Sequence, residues 1–201
     1  SVTGQALYGF QLTNSGENAN VTQLDFALSS LNGLVDGDFG NVKLFVDTNG
    51  NGVKDGDETT QVGGAGNVDT GNSRIRFSSS FTVSSATSYL LVADVANLTA
   101  NDQVTIGLGT GNLTATGASS SLSITPTGLT TSVQHRANGT LTLADNAGGQ
   151  VTHAWNSGGT INGEEIFAFK LTNGNGENVD VIQLELQLSS ISGVVAGDLT
   201  N

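Results

Sequence analysis

The chain has 201 residues, with 28 Gly, 1 Pro and no Cys or Met, and its 18 acidic residues against 6 Lys and Arg give a formal net charge of -12. Six scattered cations exclude the basic footprint of a nucleic-acid binder, and the absence of Cys excludes a disulfide scaffold, a zinc ribbon and a thiol enzyme. No apolar run approaches the ~18 residues of a membrane span and no opening stretch reads as a signal peptide; with Ser1 in place of Met, the chain is expected to be processed or a segment of a longer one.

Hydrophobic residues make up 36% and charged residues 12%, so Gly, Ser, Thr and Asn fill much of the rest. Short apolar runs that alternate, parted by Gly/Asn/Asp clusters, read as strands and tight turns rather than as a linker. In chain order, strands are expected over residues 5–13, where Tyr8, Phe10 and Leu12 alternate, and 20–30, where Leu24, Phe26 and Leu28 do. Further strands are expected at 42–47, 59–63, 73–83, 87–95, 102–108, 111–116 and 121–135. Residues 89–95, YLLVADV, are the most apolar and suit a central strand. Pro126 suits an edge or bulge in the last long segment. The glycine-rich stretches Gly63–Gly66 and Gly107–Gly111 lack a phosphate loop's Lys and read as turns. No stretch shows helical periodicity with caps. Some nine strands in about 135 residues predict an all-β, immunoglobulin-like antiparallel β-sandwich.

The chain then repeats itself. Residues 4–41, GQALYGFQLTNSGENANVTQLDFALSSLNGLVDGDFGN, align with residues 163–201, GEEIFAFKLTNGNGENVDVIQLELQLSSISGVVAGDLTN, with one extra residue in the second turn. Roughly half the paired positions are identical, and Asn41 corresponds to Asn201, a period of 160 residues. Phe167, Phe169 and Leu171 repeat the first alternating set and Leu184, Leu186 and Leu188 the second; the turn Gly16-Glu17-Asn18 returns as Gly176-Glu177-Asn178. The expected organisation is a complete sandwich over 1–135, two short strands near 140–144 and 150–155 within a junction at 136–160, with Trp155 as a packing residue, and the incomplete start of a second sandwich over 161–201.

One loop carries chemistry. Asp47 to Glu58 reads DTNGNGVKDGDE and matches the twelve-position calcium loop D-x-[DN]-x-[DN]-G-x5-E at every fixed place. Calcium takes 6–8 hard oxygen ligands. Asp47, Asn49 and Asn51 offer side-chain oxygens, Gly52 permits the sharp turn, Val53 gives its carbonyl, Asp55 binds directly or through water, and Glu58 closes the site with two oxygens. The competing reading is a polar hairpin turn without metal. Since strand direction alternates, the turn at 14–19 should share one end of the sandwich with this loop, which puts Glu17 within reach of the metal, although an exposed turn carboxylate is the simpler reading. Asp36 and Asp38 lie at the other end, where a second cation or an inter-domain contact is conceivable; only Asp38 has a counterpart, Asp198.

The loop resembles those of EF-hands, dockerins and the calcium loops of extracellular repeat proteins, although strands flank it in place of helices. The wider pattern, FxLTxSGEN, VxQL, GDxxNVKLFVDxNGNG and YLLVADV, resembles tandem repeats of large secreted or surface proteins of prokaryotes. The resemblance implies immunoglobulin-like sandwiches strung together with structural calcium. Two Asn ligands in place of Asp fit the weaker extracellular class of site.

Catalysis is not expected. His135 and His153 lie in no metalloprotease pattern, no GxSxG elbow occurs, and Glu164 and Glu165 are neighbours that alternation sends to opposite faces. Sequons occur at Asn20, Asn97, Asn112 and Asn138, as an Asn/Thr-rich chain produces by chance. The expected function is structural: a calcium-stabilised unit of an extracellular or cell-surface stalk, adhesin or filament, joined head-to-tail as a homo-oligomer by strand pairing through residues 161–201. The alternative is a carbohydrate-binding or accessory module of a secreted hydrolase or adhesin, for which 1 Trp and 2 Tyr supply few stacking surfaces.

Overall fold

The computed structural model describes residues 1–128, 130–150, 152, 158–174 and 179–199. Alternation becomes strand almost everywhere in the first repeat: β1 (Val2–Leu12), β2 (Ala19–Asn32), β3 (Phe39–Val46), β4 (Gln61–Ala65), β5 (Asn67–Asp69), β6 (Arg74–Phe77), β7 (Phe81–Val83), β8 (Thr87–Val95), β9 (Gln103–Leu108), β10 (Leu113–Gly117), β11 (Ser123–Ile124) and β12 (Thr131–Arg136). β13 (Thr140–Asp145) and β14 (Phe169–Gly174) follow.

These strands make the expected all-β antiparallel sandwich. One sheet has the order β1-β8-β3-β4, with β8 central as its apolar run requires. The other is built around the long β2. Its first half lies between β10 and β7, and its second half between β9 and β6; β11, β12 and β5 add outside these. Leu24, Phe26, Leu44, Ile75, Leu91 and Ile106 are fully buried between the sheets. Phe26 meets Phe10 edge-on at 5.5 Å and Tyr8 at 5.7 Å, so both alternating sets interleave in one core. On the flank, Arg76 donates two hydrogen bonds to Asp25, at 2.7 and 2.6 Å, across the β2–β6 pair.

Several details depart from expectation, each for a local reason. The segment 73–83 forms two strands, because β6 and β7 pair with different stretches of β2 and the serines between them carry no ladder. Gly63 and Gly64 belong to β4 rather than to a turn. Their φ of 69° and 70° accompanies a register shift against β3, the extra-residue geometry of a bulge that glycine adopts without strain. Gly107 likewise belongs to β9. Pro126 interrupts 121–135 outright and lies between β11 and β12, since it has no N–H for a ladder. Gln150 and Thr152 are not in a strand; the rest of the expected strand near 150–155, with His153, Trp155, the turn Gly176–Asn178 and Asn201, falls outside the described residues.

The second repeat reproduces local structure without its packing. Asp38 closes the 3-10 turn Asp36–Asp38 by accepting a hydrogen bond from the Val35 amide at 2.8 Å, and Asp198 closes Ala196–Asp198 by accepting from Val195 at 2.9 Å. Ser30 and Ser190 share a left-handed φ of 49° and 53°. Gln23 donates to Asp25, and Gln183 to Glu185. The apolar positions of the second alternating set diverge. Leu24, Phe26 and Leu28 are 0–4% exposed, whereas Leu184, Leu186 and Leu188 are 50–61% exposed. β14 pairs with β13, and residues 179–195 form no strand.

Candidate metal centre

β3 and β4 place the loop. Antiparallel strands joined through residues 47–60 need a long excursion, and its ends are pinned: the Val46 amide donates to the Thr60 carbonyl and the Asp47 amide to the Ser88 carbonyl on β8, both at 2.9 Å. Lys54 adds a clamp. Its ammonium lies 4.8 Å from the centre of the Phe45 ring on the outer sheet face and donates to the Asp55 carbonyl at 2.9 Å. Sequence reading gave Lys54 no role, although an outward aromatic on β3 facing a loop lysine was a usable signal.

Inside the loop, side-chain oxygens hold backbone amides in succession. Asp47 accepts from Gly50 at 2.8 Å and from Gly52 at 3.1 Å. Asn49 accepts from the Asn51 amide at 3.0 Å and Asn51 from the Val53 amide at 2.7 Å. Gly50 and Gly52 have φ of 71° and 76°, so the tight coil needs glycine at both. The Asn49 and Asn51 side-chain amides both donate to Asp55, at 3.3 and 3.1 Å. The Asp57 amide donates to the other Asp55 oxygen at 2.9 Å. That backbone donor first, with the two asparagine side chains adding to it, holds the Asp55 carboxyl down at about 2 from an ordinary 3.8.

Glu58 is different in kind. One of its oxygens accepts from the Asp55 amide at 2.7 Å; the other, Oε1, is buried with no partner, in a residue that is 0% exposed. A buried carboxylate oxygen left unmatched costs roughly 1–3 kcal/mol or more. Asp47 is also buried, at 8% exposure. A polar hairpin turn needs neither acid buried.

The structure thus gathers Asn49, Asn51, Asp55 and Glu58 through shared hydrogen bonds and keeps Asp47 on the amides of Gly50 and Gly52. Val53 joins them through its amide, and its side chain is 55% exposed. Among the described residues no three His, Cys, Asp or Glu side chains are drawn into one cluster; the loop's donors mix acids, amides and backbone.

Glu17 does other work. It accepts from the amides of Ser119 and Ser120, at 2.9 and 3.0 Å, and from the Ser120 hydroxyl. The Ser120 hydroxyl above all lowers its carboxyl pKa, and the two amides add to this. The turn carboxylate therefore latches a neighbouring turn, a role that alternation does not reveal. Asp36 accepts from the Thr70 amide at 2.6 Å, so both acids at the opposite end are spent on the fold. His135 lies against β1, its Nε2 at 2.6 Å from the Leu7 carbonyl. Among the described residues, no helix is long and apolar enough to cross a membrane. Compared with protein-family models, curated proteins and solved structures, the chain finds no match.

Proposed function

We propose that this chain is a calcium-stabilised sandwich unit of an extracellular structural array, a stalk or filament built from immunoglobulin-like repeats. The observation that carries the calcium is Glu58: a fully buried carboxylate whose Oε1 has no partner, in a loop whose sequence spaces oxygen donors for a divalent cation. Asp47, Asn49, Asn51, the Val53 carbonyl, Asp55 and both Glu58 oxygens would supply the 6–8 hard ligands calcium takes. The ion would supply charge neutralisation and a cross-link between the ends of β3 and β4; it performs no reaction. Its effect on the unit is mass action, since only the folded loop presents the donors together.

The array reading is supported by the repeat and by Leu184, Leu186 and Leu188, whose counterparts in the first repeat are core and which are themselves 50–61% exposed. Their partner would be another copy, joined head-to-tail. Thermal melting in calcium and in chelator tests the first part, and an unchanged melting temperature removes calcium from the account. Light scattering across a concentration series tests the second; strictly monomeric behaviour at high concentration removes head-to-tail assembly.

A further inference from the structure

β1 is the terminal strand of its sheet, and its open edge is unevenly covered. At Leu7 and Tyr8 the strand β12 closes in: His135 reaches the Leu7 carbonyl, and the Tyr8 hydroxyl donates to the Thr131 carbonyl at 3.0 Å. From Gly9 onward no strand of the described residues pairs with that edge. Beside it run two adjoining clefts of about 340 and 500 Å³. Phe10, Leu12, Leu108, Leu113, Ile124 and Pro126 line them, and Phe10 and Leu12 stay only half-buried although they belong to the core's alternating set.

The second repeat shows what such a stretch accepts. Phe169–Asn173 aligns with Phe10–Asn14, and it pairs antiparallel with β13: Asp145 opposite Phe169, Ala144 opposite Lys170, Leu143 opposite Leu171, and Leu141 opposite Asn173. One residue earlier, at Ala168, which aligns with Gly9, the Gln150 side chain binds both the carbonyl, at 2.6 Å, and the amide, at 3.2 Å. The segment 140–150 thus carries a strand and a terminal amide cap that fit this strand sequence. In its own chain the arrangement is poor. A two-stranded sheet is marginal alone, and Leu141 and Leu143 remain 45% and 66% exposed.

The geometry points to the open edge of β1, from Gly9 to Asn14, as a docking site for β13 of a second copy of this chain. In the register carried over from β14, Ala144 lies opposite Gln11, Leu143 opposite Leu12 and Leu141 opposite Asn14, with both leucines on the side of the clefts. β13 exchanges a two-stranded partner for the edge of a four-stranded sheet and buries its leucines, the strand-addition mode of recognition. This deepens the array reading by naming one contact between copies, and it does not involve the calcium loop.

The chain has no Cys, so a disulfide reports the register directly. One batch carries Gln11→Cys, a second Ala144→Cys, and a third, shifted by two residues, Thr142→Cys. Mixed in a glutathione buffer, the first and second should give a covalent heterodimer several-fold more abundant than the first and third. A synthetic peptide of residues 138–150 should suppress it, and a scrambled peptide should not. Equal yields from both pairs, a predominance of Gln11→Cys homodimer, or no heterodimer in folded protein each overturns the proposal. Light scattering of the unmodified chain separates the two readings: self-association without the matched cross-link leaves the array standing and removes this edge from it.

Discussion

Replacing Glu58 by Gln separates a calcium ligand from a structural carboxylate, because the two roles give opposite signs. The Gln oxygen can still accept from the Asp55 amide, which Glu58 holds at 2.7 Å. What is lost is a negative charge in a fully buried residue and an Oε1 with no partner. In chelator the variant therefore melts at or above the wild-type temperature, since an unmatched buried charge, a burden of roughly 1–3 kcal/mol, is relieved. In calcium the order reverses. For a site of the weak extracellular class, Kd about 10⁻⁴–10⁻³ M, calcium at ~10 mM lies at ~10–100 Kd and stabilises the wild type by about 1.4–2.7 kcal/mol. At roughly 2–4 °C per kcal/mol for a chain of this size, the wild type gains about 3–11 °C and the variant gains little. Calorimetric melting of both proteins in both buffers reads all four values. A wild type insensitive to calcium, or a variant that gains as much as the wild type, refutes the reasoning.

Four further outcomes follow from the same geometry. Arg76→Ala leaves Asp25, whose side chain is 14% exposed, without its two-pronged partner and should cost about 1–3 kcal/mol in urea unfolding. Glu17→Ala should free the turn at 118–121, so the Ser119 and Ser120 amides exchange faster in hydrogen exchange while the β3–β8 ladder keeps its protection. In chelator, acid should destabilise the sandwich. Hydrogen bonds hold Glu17, Asp25, Asp69 and Asp94 below their ordinary values, with nearby arginine or lysine adding at the three aspartates, and Asp55 is held at about 2. Groups depressed on folding contribute fully above their unfolded values near 4, and the contribution fades as pH falls through the folded ones, so unfolding followed by circular dichroism should steepen below about pH 4. Leu24→Ala should cost about 2–5 kcal/mol, and Leu184→Ala, at the equivalent position, should leave the melting temperature within about 1 °C while weakening self-association in light scattering.

How much of this was legible in the sequence depends on how local the cause is. Alternation at Tyr8–Leu12 and Leu24–Leu28 named the core face correctly, because a strand's side chains alternate whatever it pairs with. The tight coil at 47–58 was legible for the same reason: twelve consecutive residues fix their own backbone through Asp47, Asn49 and Asn51. What the chain's own pattern hides is set by partners distant in sequence. Glu17 finds Ser120 across the fold, and β6 and β7 are parted by which stretch of β2 each one meets. Pro126 was read as an edge or bulge position inside a strand and was underestimated, since a missing N–H ends a ladder even where the flanking residues favour strand.

The two repeats make this division into an internal experiment. The same polar pattern yields the same capped 3-10 turn at Asp38 and at Asp198, the same left-handed serine and the same Gln-to-acid hydrogen bond, because those structures close within a few residues. The same apolar pattern yields a dry core in one case and an exposed face in the other, because burying Leu24 requires β6, β10 and the opposing sheet, all of them distant in sequence. Local rules are therefore sufficient for turns and insufficient for sandwiches. The exposure of Leu184, Leu186 and Leu188 does not come from a change of residue character: Leu at all three positions is as apolar as the Leu24, Phe26 and Leu28 it replaces.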